Sequence, residues 1–211
     1  MKVVCLADTH TLHDKIKVPD GDLLIHAGDF CGSGTIQELL KFNAWLGTLP
    51  HPHKIVIAGN HDWPLQRDPS ARGFLTNAIY LQDSEISING VRIYGSPWQP
   101  EFYNWAFNLK RGEEIKRKWD QIPDGIDILI THGPAHGVGD LVLSGEHVGC
   151  IDLLKAIERV KPKFHICGHI HSGYGSYALK DLGVTMINAS NCDEEYSPIN
   201  RPIVFEYPKV T

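Results

Sequence analysis

Short runs rich in Val, Ile and Leu recur along the chain between segments of helical periodicity, the pattern of an α/β domain. They predict strands at Val3 to Asp8, Leu23 to Ala27, Lys54 to Ala58, Ile126 to Thr131, Phe164 to Cys167, Thr185 to Ala189 and Ile203 to Tyr207. Glu85 to Ile88 and Val91 to Tyr94 flank Asn89-Gly90, the residue pair of a type I′ turn. These two form an antiparallel hairpin, so the sheet system is mixed.

Helices are signalled between the strands. A capping box at Thr35 and Glu38 opens the first, with Ile36, Leu39, Leu40, Phe42 and Leu46 on one side and an end expected near Pro50. Glu113 to Ile122 is a second, charged helix on the surface. Cys150 to Val160 is a third, with Ile151, Leu154 and Ile157 at helical spacing and Pro162 as a stop. Gly95 to Asn108, crowded with aromatic residues, and Gly133 to Gly149 are expected to be irregular. No linker, repeat or low-complexity tract interrupts the chain, so residues 1–211 are expected to fold as a single domain.

With 211 residues, 42% of them hydrophobic, such a domain buries roughly 70% of its unfolded surface without staples. Any metal is therefore free to serve function. Lys and Arg number 20 against 25 Asp and Glu, a net charge of -5, which excludes the basic stripe of a duplex-nucleic-acid binder or a general attraction to anionic membrane. The opening apolar run is too short for a signal peptide, and no stretch approaches the ~18 residues of a membrane span. The expected location is cytoplasmic. Cys5, Cys31, Cys150, Cys167 and Cys192 contain no C-x-x-C pair and are expected to be buried thiols. The unusual number is His, at 12.

Five of the apolar runs end in the same way. Val3 to Ala7 leads into Asp8-Thr9-His10, Leu23 to Ala27 into Gly28-Asp29, and Ile55 to Ala58 into Gly59-Asn60-His61-Asp62. Ile128 to Ile130 leads into Thr131-His132, and His165 to Cys167 into Gly168-His169-Ile170-His171. Taken singly, each is as well explained by a turn or a solvated polar pair. Together they are not, because open α/β sheets bind ligands beyond the carboxyl ends of their strands, where these residues can converge on one crevice.

Asp8, His10, Asp29, Asn60, His132, His169 and His171 offer carboxylate, imidazole and amide but no thiolate. That set disfavours structural zinc and favours a borderline divalent ion such as Mn, Fe or Zn. Seven side chains exceed the needs of one ion. With one bridging carboxylate they divide into two four-ligand sets, as in two-metal hydrolases. Two divalent ions, two carboxylates and a bridging hydroxide leave about one surplus positive charge, so the site attracts an anion.

The order Asp-x-His, Gly-Asp, Gly-Asn-His-Asp, Thr-His-Gly and Gly-His-x-His, from Asp8 to His171, resembles the calcineurin-like metallophosphoesterase superfamily. Gly95 to Pro100, Ser144 to Cys150 and Gly173-Tyr174-Gly175 further resemble a small subfamily of metallophosphoesterase-domain phosphodiesterases related to the class III cyclic-nucleotide enzymes. The resemblance implies a four-layer α/β/β/α sandwich of two mixed sheets. It also implies Asp8, His10 and His171 on one metal, Asn60, His132 and His169 on a second, Asp29 bridging, and His61 unligated beside the substrate. Relatives that dephosphorylate proteins carry Gly-Asp-x-x-Asp-Arg-Gly, where the second Asp orients the catalytic His and the Arg binds phosphate. Here the stretch is Gly28-Asp29-Phe30-Cys31-Gly32-Ser33-Gly34. Both auxiliary residues are missing, which argues against a protein phosphatase and leaves Asp62 or a backbone carbonyl to orient His61.

The expectation is a dinuclear metal-dependent phosphodiesterase for a small anionic phosphoester, cyclic or nucleotide-like. A metal-bridging hydroxide attacks phosphorus in line, Asn60 and the metals hold the nonbridging oxygens, and His61 serves the departing alkoxide. Trp98, His136, His147 and Tyr174 are candidates for the substrate pocket, with Phe102 and Trp105 in the aromatic loop able to stack a base. His26 and His165 are expected in the core, and His13, His51 and His53 in polar loops. A phosphomonoesterase with the same site and a non-catalytic scaffold on the same fold remain the alternatives.

Overall fold

The computed structural model describes residues 1–208, and the last three positions of the expected domain lie outside the described residues. Along the chain run β1 (Lys2–Leu6), β2 (Leu23–His26), α1 (Ile36–Thr48), β3 (His53–Val56), α2 (Trp63–Arg67) and β4 (Ile79–Tyr80). Then come β5 (Ser84–Ile88), β6 (Val91–Ser96), β7 (Gln99–Pro100), β8 (Asn108–Leu109), α3 (Glu113–Trp119) and β9 (Ile128–Thr131). The series closes with α4 (Ile151–Val160), β10 (Phe164–Cys167), β11 (Gly175–Leu179), β12 (Val184–Asn188) and β13 (Ile203–Glu206).

Two large sheets form, in the strand orders β13-β1-β2-β3-β4 and β11-β12-β10-β9-β6-β5, and β7 pairs with β8 in a separate two-stranded sheet. Each large sheet is parallel inside and carries antiparallel edges: β13 against β1 in the first, β5 against β6 and β11 against β12 in the second. Both are therefore mixed. Alternation along β1 explains the layering. Val3, Cys5 and Ala7 join a core between the sheets with Ile25, Ile55, Ile128, Ile130 and Ile166. Val4 and Leu6 face the other way, into a second core with Leu39, Phe42 and Leu46 of α1. On the far side, Leu129 and Cys167 pack against Ile115 and Trp119 of α3 and Leu153 and Ile157 of α4. Helices thus flank two facing sheets, as the resemblance implied. Central strands buried on both faces need apolar residues at every position, which is why their runs are unbroken.

The capping box is present, with Thr35 accepting from the Glu38 backbone N–H and Glu38 reaching back to the Thr35 N–H. Asn89 and Gly90 both have positive φ, 52° and 80°, as a type I′ turn requires. The second helix stops at Trp119, three residues short of Ile122, and β1 stops at Leu6, because Asp8 turns to a φ of 51°. All five cysteines are buried free thiols. Among the described residues no helix is long and apolar enough to cross a membrane.

Candidate metal centre

The carboxyl ends of β1, β2 and β3 in one sheet, and of β9 and β10 in the other, open onto one cleft of about 640 Å³. Leaving a strand and turning a short side chain into that cleft within one or two residues requires unusual backbone. Asp8, His10, Asp29 and His169 all have positive φ, at 51°, 40°, 58° and 70°. Non-glycine residues hold this conformation only where their surroundings fix it, and such positions gather at functional sites. Crowding explains two glycines. A Cβ on Gly59 would run into the Asp29 carboxylate and lie 2.5 Å from His132 Cε1, and one on Gly168 would strike Asp8.

Three groups of side chains bring potential ligand atoms within 4.8 Å of one another: Asp8, His10 and His171; His10, Asp29 and His61; and Asp29, His132 and His169. His10 and Asp29 each belong to two of them, Asp29 being the one shared carboxylate and only 2% exposed, and Asp8 is buried completely. Asn60 joins through its side-chain oxygen, 2.9 Å from His132 Nε2. Thus the seven expected donors lie together, with His61 beside them.

Backbone carbonyls set the imidazole tautomers. His132 Nδ1 donates to Ala27 at 2.9 Å, His171 Nδ1 to Asp193 at 2.7 Å and His61 Nδ1 to Gly32 at 2.6 Å. A carbonyl only accepts, so each ring carries its proton on Nδ1 and presents Nε2 to the cleft, as metal-binding imidazoles do. His61 is therefore oriented by the Gly32 carbonyl and not by Asp62. The Asp62 carboxylate, fully buried, instead accepts the backbone N–H of Gly59 at 2.7 Å, Asp29 at 2.8 Å and Cys31 at 2.9 Å. It ties the turn after β2 to the turn after β3.

The protein's own groups leave the donors unsatisfied in the way a cation would complete. Asp8 Oδ1 is buried with no hydrogen-bond partner, 3.7 Å from His171 Nε2. His10 and His171 oppose Nε2 to Nε2 at 3.3 Å. His132 Nε2 faces Asp29 Oδ2 at 3.4 Å. This donor set fits a pair of borderline divalent ions. The electrostatics agree. Burial works against ionising Asp8 and Asp29, yet His171 beside the first and His132 beside the second hold both carboxyls well below the usual range. Burial also keeps His10 and His169 neutral, lowering them to about 4 and about 3.

The remaining expected pocket residues are not at the cleft. Trp98 packs inward between two cores, its Nε1 donating to Asp83 at 2.9 Å while Lys118 lies over its ring. His147 Nδ1 donates to the buried Asp140 at 2.7 Å, and His136 faces the same carboxylate at 3.8 Å. Tyr174 donates to the Arg201 carbonyl. Each is held by a partner that turns it elsewhere. In their place Phe102, Tyr103, Trp105, Arg111 and Tyr196 line the cleft. The aromatic-loop signal pointed to Phe102 and Trp105, whereas no spacing pattern marks Arg111 or Tyr196. His26 and His165 are fully buried as expected, paired with Thr9 and Thr131. His13 and His51 are also buried, contrary to a polar-loop placement, because His13 packs against Phe42 and Trp45 and His51 under the Pro19 carbonyl.

The profile of the family described as calcineurin-like phosphoesterase matches residues 1–173. Metallophosphoesterase domain-containing protein 1 of Homo sapiens is 48% identical over 233 residues, covering 98% of this chain and 71% of that protein. A UPF0046 protein of Caenorhabditis elegans is 39% identical, over 99% of this chain and 60% of that one. Among solved structures, TT1561 of Thermus thermophilus superposes with a TM-score of 0.56 at 11% identity, over 89% of this chain and 88% of that one, a likeness of fold alone.

Proposed function

As this chain belongs to the calcineurin-like phosphoesterase family, we propose that it is a dinuclear metal-dependent phosphodiesterase for small or cyclic nucleotide-like diesters, acting in the cytoplasm. The observation that carries this is Asp29, shared between two donor groups at the floor of a single cleft. Asp8, His10 and His171 would hold one ion and Asn60, His132 and His169 the other, with Asp29 placed to serve both. When bound, two divalent ions would supply an activated water and charge neutralisation at the phosphoryl oxygens. The chain's own residues do the rest. Asn60, its carbonyl turned to the metal side, offers amide N–H groups to a nonbridging phosphoryl oxygen. His61, with its Nδ1–H committed to the Gly32 carbonyl, presents Nε2 to the departing ester oxygen and in its imidazolium form donates the proton from that nitrogen.

The diester preference is supported by what the cleft lacks and what it offers. The phosphate-binding Arg of protein phosphatases has no counterpart after Asp29. Arg111 lines the cleft from elsewhere, with one N–H of each terminal nitrogen donated to the Gly149 and Val148 carbonyls, so its guanidinium is anchored to that wall and not beside Asp29 in sequence. A monoester dianion asks for such fixed cations around its terminal oxygens, whereas a diester monoanion does not. Turnover of bis(p-nitrophenyl) phosphate by the manganese-loaded protein, lost on chelation and restored by metal, is the expected result. No turnover with two ions bound would refute it in favour of a non-catalytic scaffold.

A further inference from the structure

The segment that follows β12 supplies none of the motif residues, yet it closes one side of the cleft. Ser190 Oγ donates to Asp8 Oδ2 at 2.7 Å, and the Asp193 carbonyl accepts from His171. The Asp193 carboxylate then folds the next turn, accepting the backbone N–H of Glu195 at 3.0 Å and of Ser197 at 2.7 Å. That turn delivers Tyr196 at a φ of 58°, in the left-handed region that a bulky side chain occupies only under constraint. An observed constraint of this kind points to a use.

The ring is placed where a substrate must pass. Its centroid lies 4.7 Å from that of His10, 5.4 Å from His171 and 6.3 Å from His61, all edge-on, while 49% of the residue stays exposed. Trp105 flanks the same histidine, stacked on His61 at 4.4 Å and 28°. His61, Trp105 and Tyr196 all line the cleft. With Nδ1 of His61 engaged by Gly32, Nε2 is the nitrogen left to meet a substrate, and Trp105 and Tyr196 are the two aromatic side chains of the cleft, histidines aside, whose rings lie against this imidazole.

We propose that Trp105 and Tyr196 are the two walls of a slot that holds a flat, aromatic ester substituent beside His61, so that the site selects aryl- or base-bearing phosphoesters over small alkyl ones. The inference rests on the phosphohydrolase reading of the same cleft. Stacking of one ring accounts for roughly a tenfold preference. Removing the ring at position 196 removes that preference, and Phe retains it.

The test uses the manganese-loaded protein and two inhibitors, diphenyl phosphate and dimethyl phosphate, whose affinities are measured by calorimetry and by competition against bis(p-nitrophenyl) phosphate. Diphenyl phosphate should bind about tenfold or more tightly than dimethyl phosphate. Tyr196→Ala should collapse that ratio while metal content and melting temperature hold, and Tyr196→Phe should keep it. Should Tyr196→Ala not fold, Trp105→Leu tests the opposite wall by the same ratio. Parallel weakening of both phosphates, or an unchanged ratio, would overturn the slot. Calorimetry reads the ratio even without turnover, so a protein that binds both phosphates and hydrolyses nothing would refute the phosphohydrolase reading and leave the slot standing.

Discussion

His61 is held by Gly32: its Nδ1 lies 2.6 Å from the glycine carbonyl, at the position where protein-phosphatase relatives carry an aspartate. A neutral carbonyl fixes the ring's orientation without adding charge, so Nε2 is turned to the cleft although the carboxylate of protein-phosphatase relatives is missing. His61 also lies within reach of His10 and Asp29. Distance alone does not separate proton donor from ligand.

Substitution separates them. His61→Ala should leave two ions per chain and lower kcat by ~10²–10⁴-fold, the usual contribution of a general acid. Metal analysis beside steady-state kinetics makes the check, and loss of an ion in this variant would make His61 a ligand.

Asp29 should behave in the opposite way. It alone joins two donor groups through a carboxylate, the one type of side chain there that can offer an anionic oxygen to each of two cations. Asp29→Ala should therefore lose metal and activity together. Two bound equivalents with normal turnover would show that nothing bridges through Asp29.

Metal loading should displace protons. Burial opposes charging of His132 and His171, but Asp29 beside the first and Asp8 beside the second raise both from 6.5 to about 9. Both rings are thus protonated at neutral pH in the metal-free protein, so each ion must expel about one proton to bind and the pair about two. Apparent affinity should weaken as pH falls below 9, with proton release visible by calorimetry in buffers of different ionisation heat. Because the folded-state values are raised, the stability these rings lend the metal-free protein is full below pH 6.5 and lost as pH rises through about 9. Loading at pH 7 without proton release would contradict the assignment.

Asp62 is a structural clamp, and its replacement tests that role. Asn has the same shape but turns an amide N–H toward one set of backbone N–H donors that the carboxylate now accepts. Asp62→Asn should cost about 1–3 kcal/mol of stability by denaturant unfolding, the penalty of buried unsatisfied polar groups. It should weaken metal binding too, since the joined turns carry Asp29 and Asn60. An unchanged unfolding midpoint would mean the clamp contributes nothing.

Much of the fold and the floor of the cleft is legible in the sequence, for a physical reason. Central strands covered on both faces, such as β1 with Val3 to Leu6 all buried, read as unbroken apolar runs, and the polar residues that end those runs fall at one end of the sheets. The floor of the cleft is therefore written at five places in the sequence. Two of the four edge strands of the large sheets are not. β11 has half-exposed and exposed residues in alternation, and the two-residue β4 is too short for any period. The walls of the cleft are set by tertiary partners: Asp83 turns Trp98 inward, Asp140 draws off His147, and Asp193 delivers Tyr196. None of those pairings follows from local pattern.

The phosphodiesterase assignment is tested most directly by comparing bis(p-nitrophenyl) phosphate with p-nitrophenyl phosphate on the manganese-loaded protein, at one pH and one metal concentration. Sharing a leaving group, their ratio of kcat/KM reports how the site holds the rest of the transition state. A diester preference of about tenfold or more, roughly 1.4 kcal/mol, is expected. A monoester preference of that size would contradict it, leaving a two-metal site that serves a phosphomonoesterase.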